Sequence, residues 1–104
     1  MQNKDGQWVA PDDLTFKAAA ANATWEKTFF QVLTDQPGRT AWPVTGATFI
    51  IMYLKNDKPQ EAQEALKFFR WAFAKGDKMA EELDYVPLPD NVVSLIEREI
   101  SRIK

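Results

Sequence analysis

The stretch Ala41–Leu54, AWPVTGATFIIMYL, decides the fold. From Phe49 to Leu54 it runs through aromatic, β-branched and long apolar residues without a charge. Successive side chains of an extended backbone point to opposite faces. One face then carries Ala47, Phe49, Ile51 and Tyr53, the other Thr48, Ile50, Met52 and Leu54. Both faces are apolar, the pattern of a strand covered on both sides. Periodicity in so short a run does not separate strand from helix, but its β-branched content and flanking turn residues favour a strand. Pro43 has no N–H, so the strand proper begins after it, and Gly46 permits a bulge or bend. No second stretch of this quality exists in the chain. The expectation is a mainly α chain with one central strand, and that strand has no visible partner.

Outward from it, the chain reads as helix and turn. On the N-terminal side, Gln2 to Gly6 is polar and turn-like, and Trp8-Val9 forms a short extended piece that ends at Pro11. Pro11-Asp12-Asp13 is a good helix start, because proline suits a first turn and carboxylates complement the positive end of the dipole. The helix DDLTFKAAAAN has high propensity in its alanine run. Its buried face is expected to hold Leu14, Ala18 and Ala21, with Phe16 and Ala20 beside them, and Asn22 ends it. A second helix is expected from Thr24 to Asp35, with Trp25, Phe29, Val32 and Leu33 on one stripe. Asp35-Gln36-Pro37-Gly38 breaks it, and Arg39 stands in an exposed loop.

On the C-terminal side, Asn56 or Asp57 caps and Pro59 opens the best helix of the chain, from about Gln60 to Lys75. Ala62, Leu66, Phe69 and Phe73 repeat at helical spacing, and Ala65, Phe68, Trp71 and Ala72 widen the stripe. Such a helix needs cover on more than one side. Gly76 is expected to close it in a left-handed cap. Asp77 caps a short helix, KMAEELDY. The stiff connector from Tyr85 to Pro89 leads to a last helix capped by Asp90, with Val92, Val93, Ile96, Ile100 and Ile103 on its apolar stripe.

Composition narrows the function classes. Cysteine and histidine are both absent, so there is no thiolate metal site, no disulfide and no imidazole base. The four glycines are scattered, so no phosphate-cradling loop of the Walker or Rossmann type exists. No catalytic constellation stands out, and an enzyme is the poorest reading. The acids Asp77, Glu81, Glu82 and Asp84 lack the spacing of a calcium loop and read as a solvated face. A net charge of −2 gives no reason to expect nucleic acid. No run approaches a membrane span, and the N-terminus, MQNKDGQW, lacks the apolar core of a signal peptide.

Three motifs carry a resemblance. Trp42, Pro43, Thr45, Thr48, Phe49 and Ile50 form one; Leu66, Lys67, Phe68, Phe69, Trp71 and Ala72 a second; Leu83, Asp84, Tyr85, Leu88, Pro89, Asp90, Val92 and Val93 a third. With the earlier WEKTFFQVLTD, and in this order, they resemble the C-terminal part of the phosphate-binding proteins of bacterial phosphate ABC transporters. The resemblance implies part of a two-lobed periplasmic binding protein fold. It assigns residues 1–40 to the end of the second lobe, 41–54 to a hinge or crossing strand, and 55–104 to helices returning to the first lobe. It also implies a whole protein that binds inorganic phosphate and delivers it to a membrane permease, in the periplasm, with its signal sequence outside this chain. The family's phosphate-contacting motifs lie in earlier segments. No phosphate-binding, catalytic or metal residue is therefore carried over, and no cofactor is expected. The chain on its own is expected to form a homodimer. The second reading is a small stand-alone helical interaction module.

Overall fold

The computed structural model describes residues 1–104. Four helices follow one another: α1 (Asp13–Ala21), α2 (Pro59–Lys75), α3 (Asp77–Glu82) and α4 (Asp90–Ile100). The fold is mostly helical, and the sole bridge of β type joins Gln2 to Trp8.

α1 begins where its polar residues dictate. Asp12 is the N-cap, and its Oδ1 accepts from the Thr15 N–H at 2.8 Å. The Asp12 N–H in turn donates to Thr15 Oγ1 at 3.1 Å, which completes a capping box. Asn22 is the C-cap, as its position in the sequence suggests. The buried face is Thr15, Ala19 and Ala20, not the expected Leu14–Ala18–Ala21 face; Leu14 is exposed. The capping box fixes this rotation, because Thr15 Oγ1 also donates to the Ala10 carbonyl at 2.7 Å and so faces inward.

The expected helix from Thr24 to Asp35 does not form. After a turn at Trp25–Lys27 the chain runs without regular structure to a second turn at Thr34–Asp35. Aromatic and β-branched residues dominate the stretch, and each loses side-chain freedom in a helix. Local polar groups compete as well. Thr28 Oγ1 accepts from the Phe30 N–H at 3.1 Å, and Gln31 Nε2 donates to the carbonyls of Thr28 and Thr24. Trp25 folds back onto α1, and its indole N–H donates to the Ala20 carbonyl at 2.6 Å. It joins Ala20, Leu33 and Val92 in the small buried core, with Phe29, Ala47, Leu88, Leu95 and Ile96 packed around them.

The central strand is corrected too. Residues 45–53 are neither helix nor turn, yet they enter no ladder. The segment is pinned at both ends. At its start the Asp35 N–H donates to the Pro43 carbonyl at 2.8 Å. Proline has no N–H to return that bond. At its end the Lys104 N–H donates to the Leu54 carbonyl at 2.9 Å, and the Asn56 N–H to the Lys104 carbonyl at 3.0 Å. Between the pins, no backbone N–H or C=O from Val44 to Met52 makes a hydrogen bond within the chain. The strand-forming residues are present, but the strands that would pair with them are not.

α2 and α4 agree with the reading of their stripes. α2 buries Ala62 and Leu66, and α4 buries Val92 and Ile100. α4 packs against both α1 and α2. Arg70 pairs with Glu97 at 3.5 Å across the α2–α4 contact, and Asn91 Nδ2 donates to the Ala21 carbonyl at 3.3 Å. The helix starts differ from expectation. Lys58, Gly76 and Pro89 occupy the N-cap positions of α2, α3 and α4, and none gives a side-chain cap. Asp77 and Asp90 sit one residue later, where they act on the dipole only. Gly76 is right-handed, with φ −89°, not left-handed. Glycine is needed there because a Cβ would collide with the Ala72 carbonyl.

The packing is loose for the chain's size. The accessible surface is 7661 Å², where a compact 11.9 kDa monomer exposes about 6,000 Å². The radius of gyration is 15.3 Å, against about 13 Å for a compact domain of this length. The chain makes 50 backbone–backbone hydrogen bonds, where about 70 are usual. Each comparison points to surface and backbone that the chain does not cover by itself.

Candidate functional site

From Ile50 to Leu54 the expected alternation survives in the absence of pairing, whereas Phe49 lines the same groove as Ile50 and Thr48 does not. Ile50, Met52 and Leu54 turn toward α2 and α4, where they line an apolar groove of about 220 Å³ with Leu66, Phe69 and Ile100. Ile51 and Tyr53 turn away and are 95% and 81% exposed. The segment thus lies on its helices by one face and leaves the other face and its backbone open. α2 repeats the pattern. Its Leu66 is buried, whereas Phe68 and Trp71, tilted against each other with ring centroids 5.9 Å apart, are exposed.

A cleft of about 360 Å³ opens on the other side of the segment, between α1, the Trp25–Leu33 stretch and the Asp84–Leu88 connector. Thr45, Gly46, Ala47 and Thr48 form one wall. Its polar groups do not suit an anion. The Lys17 amine already stands 3.8 Å from Glu81 and 4.0 Å from Asp13. Thr45 Oγ1 donates to the Trp42 carbonyl at 3.1 Å. The remaining charged lining group, Asp84, is a carboxylate held at φ +62°. Carboxylates crowd the cleft's one ammonium, and an entering phosphate would meet repulsion from them.

Arg39 is exposed, and its loop is occupied by other work. Asn3, a buried side chain that sequence reasoning passed over, donates through Nδ2 to the Arg39 carbonyl at 2.8 Å and the Gly38 carbonyl at 3.1 Å. Asn3 Oδ1 accepts from the Gln7 N–H at 2.9 Å. Gly38, at φ +126°, takes a conformation that favours glycine, and its N–H donates to Asp5. The signal for this anchor was the Lys4-Asp5-Gly6 turn that presents Asn3. Asp90 lies at the start of α4, far along the chain from Arg39 and Thr45, and puts a carboxylate where a helix N-terminus would receive an anion.

Comparison with known proteins places relatives beside this geometry. The phosphate-binding protein PstS of Pasteurella multocida is 46% identical over 101 residues, which is 95% of this chain and 29% of that protein. This chain is a relative of the phosphate-binding proteins. PstS of Haemophilus influenzae is 45% identical over the same number of residues, and that of Methanocaldococcus jannaschii is 32% identical over the full chain. The chain spans about three-tenths of the length of these phosphate-binding relatives. No family model matches it. The relatives are named for binding phosphate, and the chain they match contains an apolar segment whose backbone is unpaired from Val44 to Met52.

Proposed function

We propose that this chain is the C-terminal segment of a substrate-binding protein of a phosphate ABC transporter. The whole protein binds inorganic phosphate in the periplasm and delivers it to the permease. In this reading residues 1–40 end the second lobe, residues 41–54 form the strand that crosses between lobes, and residues 55–104 return as helices to the first. The chain supplies no phosphate ligand and carries out no catalysis; its part is to complete a sheet and cover its face.

The observation that carries the proposal is the match of 95% of the chain to three-tenths of a phosphate-binding protein, at the place where its apolar segment lacks partners. The mainly apolar cleft supports the same reading, since its one ammonium, Lys17, is already paired with Asp13 and Glu81 and it offers no free cluster of anion donors. The test is a graft. This chain replaces the matching segment of the Pasteurella multocida protein, and phosphate is titrated calorimetrically into the graft and into the chain alone. The graft is expected to bind saturably and the chain alone to give no heat. Saturable binding by the chain alone, or a folded graft that does not bind, contradicts the proposal.

A further inference from the structure

We infer that the packing of α1 and Trp25 against α4 is a permanent seam between the two lobes, kept in the phosphate-free and the phosphate-bound protein, and that the lobes close by rotating about it. The inference rests on the division into lobes proposed above, with residues 1–40 in one lobe and 55–104 in the other. Three observations carry it. The first is a shared core. Ala20, Trp25 and Leu33 come from one side of the division and Val92 from the other, and together they form the buried cluster of the chain. Val92 has no exposed surface, and Trp25 and Leu33 are almost as well covered. Parting the two sides would return this apolar surface to water, which is unfavourable. A rotation whose axis passes through the cluster moves the lobes and leaves the cluster intact.

The second observation is polar. Ala21 is the last residue of α1, so its carbonyl has no partner within the helix. Asn91 Nδ2, on α4, donates to it at 3.3 Å. Lys17 of α1 stands 3.8 Å from Glu81 of α3. Both contacts join the two sides. The third observation is the place of the seam. The crossing segment leaves one lobe tied to α1: the Trp42 N–H donates to the Thr15 carbonyl at 2.9 Å, and the Trp42 and Phe16 ring centroids lie 6.2 Å apart. It reaches the other lobe tied to the residues after α4, where the Lys104 N–H donates to the Leu54 carbonyl at 2.9 Å. Between these ties Ala47 packs against the shared core. The covalent crossing and the packed seam therefore lie side by side, and one lobe can turn on the other only about both. Gly46 has nothing within 4 Å of where a Cβ would stand, so the backbone there can turn without a clash. Hinges absorb such turns in a few residues.

The test uses the graft of this chain into the Pasteurella multocida protein. The chain has no cysteine of its own. In a graft with no other cysteine, Ala21→Cys and Asn91→Cys set one thiol on each side of the seam, at positions that are not buried, and a short bismaleimide joins them. Cross-linking is expected to run at the same rate with and without phosphate. The linked graft is expected to keep its phosphate affinity to within about threefold. A second pair, Lys4→Cys and Gln60→Cys, carries spin labels at exposed positions outside the seam. Their separation is expected to change by more than about 2 Å when phosphate is added. A roughly tenfold change in cross-linking rate on adding phosphate overturns the inference and leaves the functional reading standing. So does a loss of phosphate binding on linking that the unlinked double variant does not show. A label separation that phosphate leaves unchanged also overturns it, since residues 1–40 and 55–104 then move as one body. A folded graft that binds no phosphate overturns the functional reading and the inference together.

Discussion

Two stretches of the chain carry strong local signals and meet opposite fates. Ala10–Asn22 closes on itself. Asp12 and Thr15 satisfy one another, Thr15 reaches back to Ala10, and Trp25 returns to bond the Ala20 carbonyl. Val44–Met52 has an equally clear pattern, yet its backbone groups make no hydrogen bond within the chain. A helix bonds its own backbone, so a short sequence can specify all of it. A strand bonds its neighbours, so its sequence specifies a face and an alternation and leaves the partners to other parts of a protein. The difference teaches which parts of this chain stand alone and which wait for company.

Substitutions separate the two regions. Trp25→Ala removes a core aromatic and its hydrogen bond to α1. It should destabilise the chain by about 3–5 kcal/mol, read as a shift of the urea midpoint; a shift near zero would show that the small core does not hold α1 in place. Asp12→Ala breaks the capping box and should cost about 1 kcal/mol. The same unfolding curve reads it, with Asp12→Asn as the conservative control that keeps most of the cap. Ile51→Ser lies at the open face. In dilute monomer it should change stability by less than about 0.5 kcal/mol. A larger loss would mean that the segment is packed within its own chain, and the contrast between the two stretches would fail.

The legible parts of the fold follow the same division. α2 was readable to within a residue at each end, because Pro59 opens it, Gly76 closes it and Leu66 marks its buried stripe. α4 was readable from Val92, Ile96 and Ile100. The rotation of α1 was not, since it depends on where the Thr15 hydroxyl finds an acceptor. The stripe Trp25–Phe29–Val32 fitted a helix by spacing alone. Side-chain competition from Thr28 and Gln31, and the pull of Trp25 onto α1, overrode it. Within Ala41–Leu54 the alternation was legible and is present from Ile50 on, with Ile50 and Met52 inward and Ile51 and Tyr53 outward, while Phe49 departs from it by lining the groove beside Ile50. The pairing was not, because a strand's hydrogen bonds depend on its neighbours and not on its own residues. At the cleft, the enclosure of Lys17 by Asp13 on its own helix and by Glu81 was not legible, because it needs α1 and α3 brought together in space.

The central claim is that Val44–Met52 is a strand whose partners lie outside this chain. Amide hydrogen exchange on these residues tests it most directly, in the dilute chain and in the same chain grafted into the Pasteurella multocida protein. The account predicts fast exchange across the segment in the chain alone, beside slow exchange in the centre of α2, and slow exchange across the segment in the graft. Slow exchange in the dilute chain, or fast exchange in a folded graft, would contradict it.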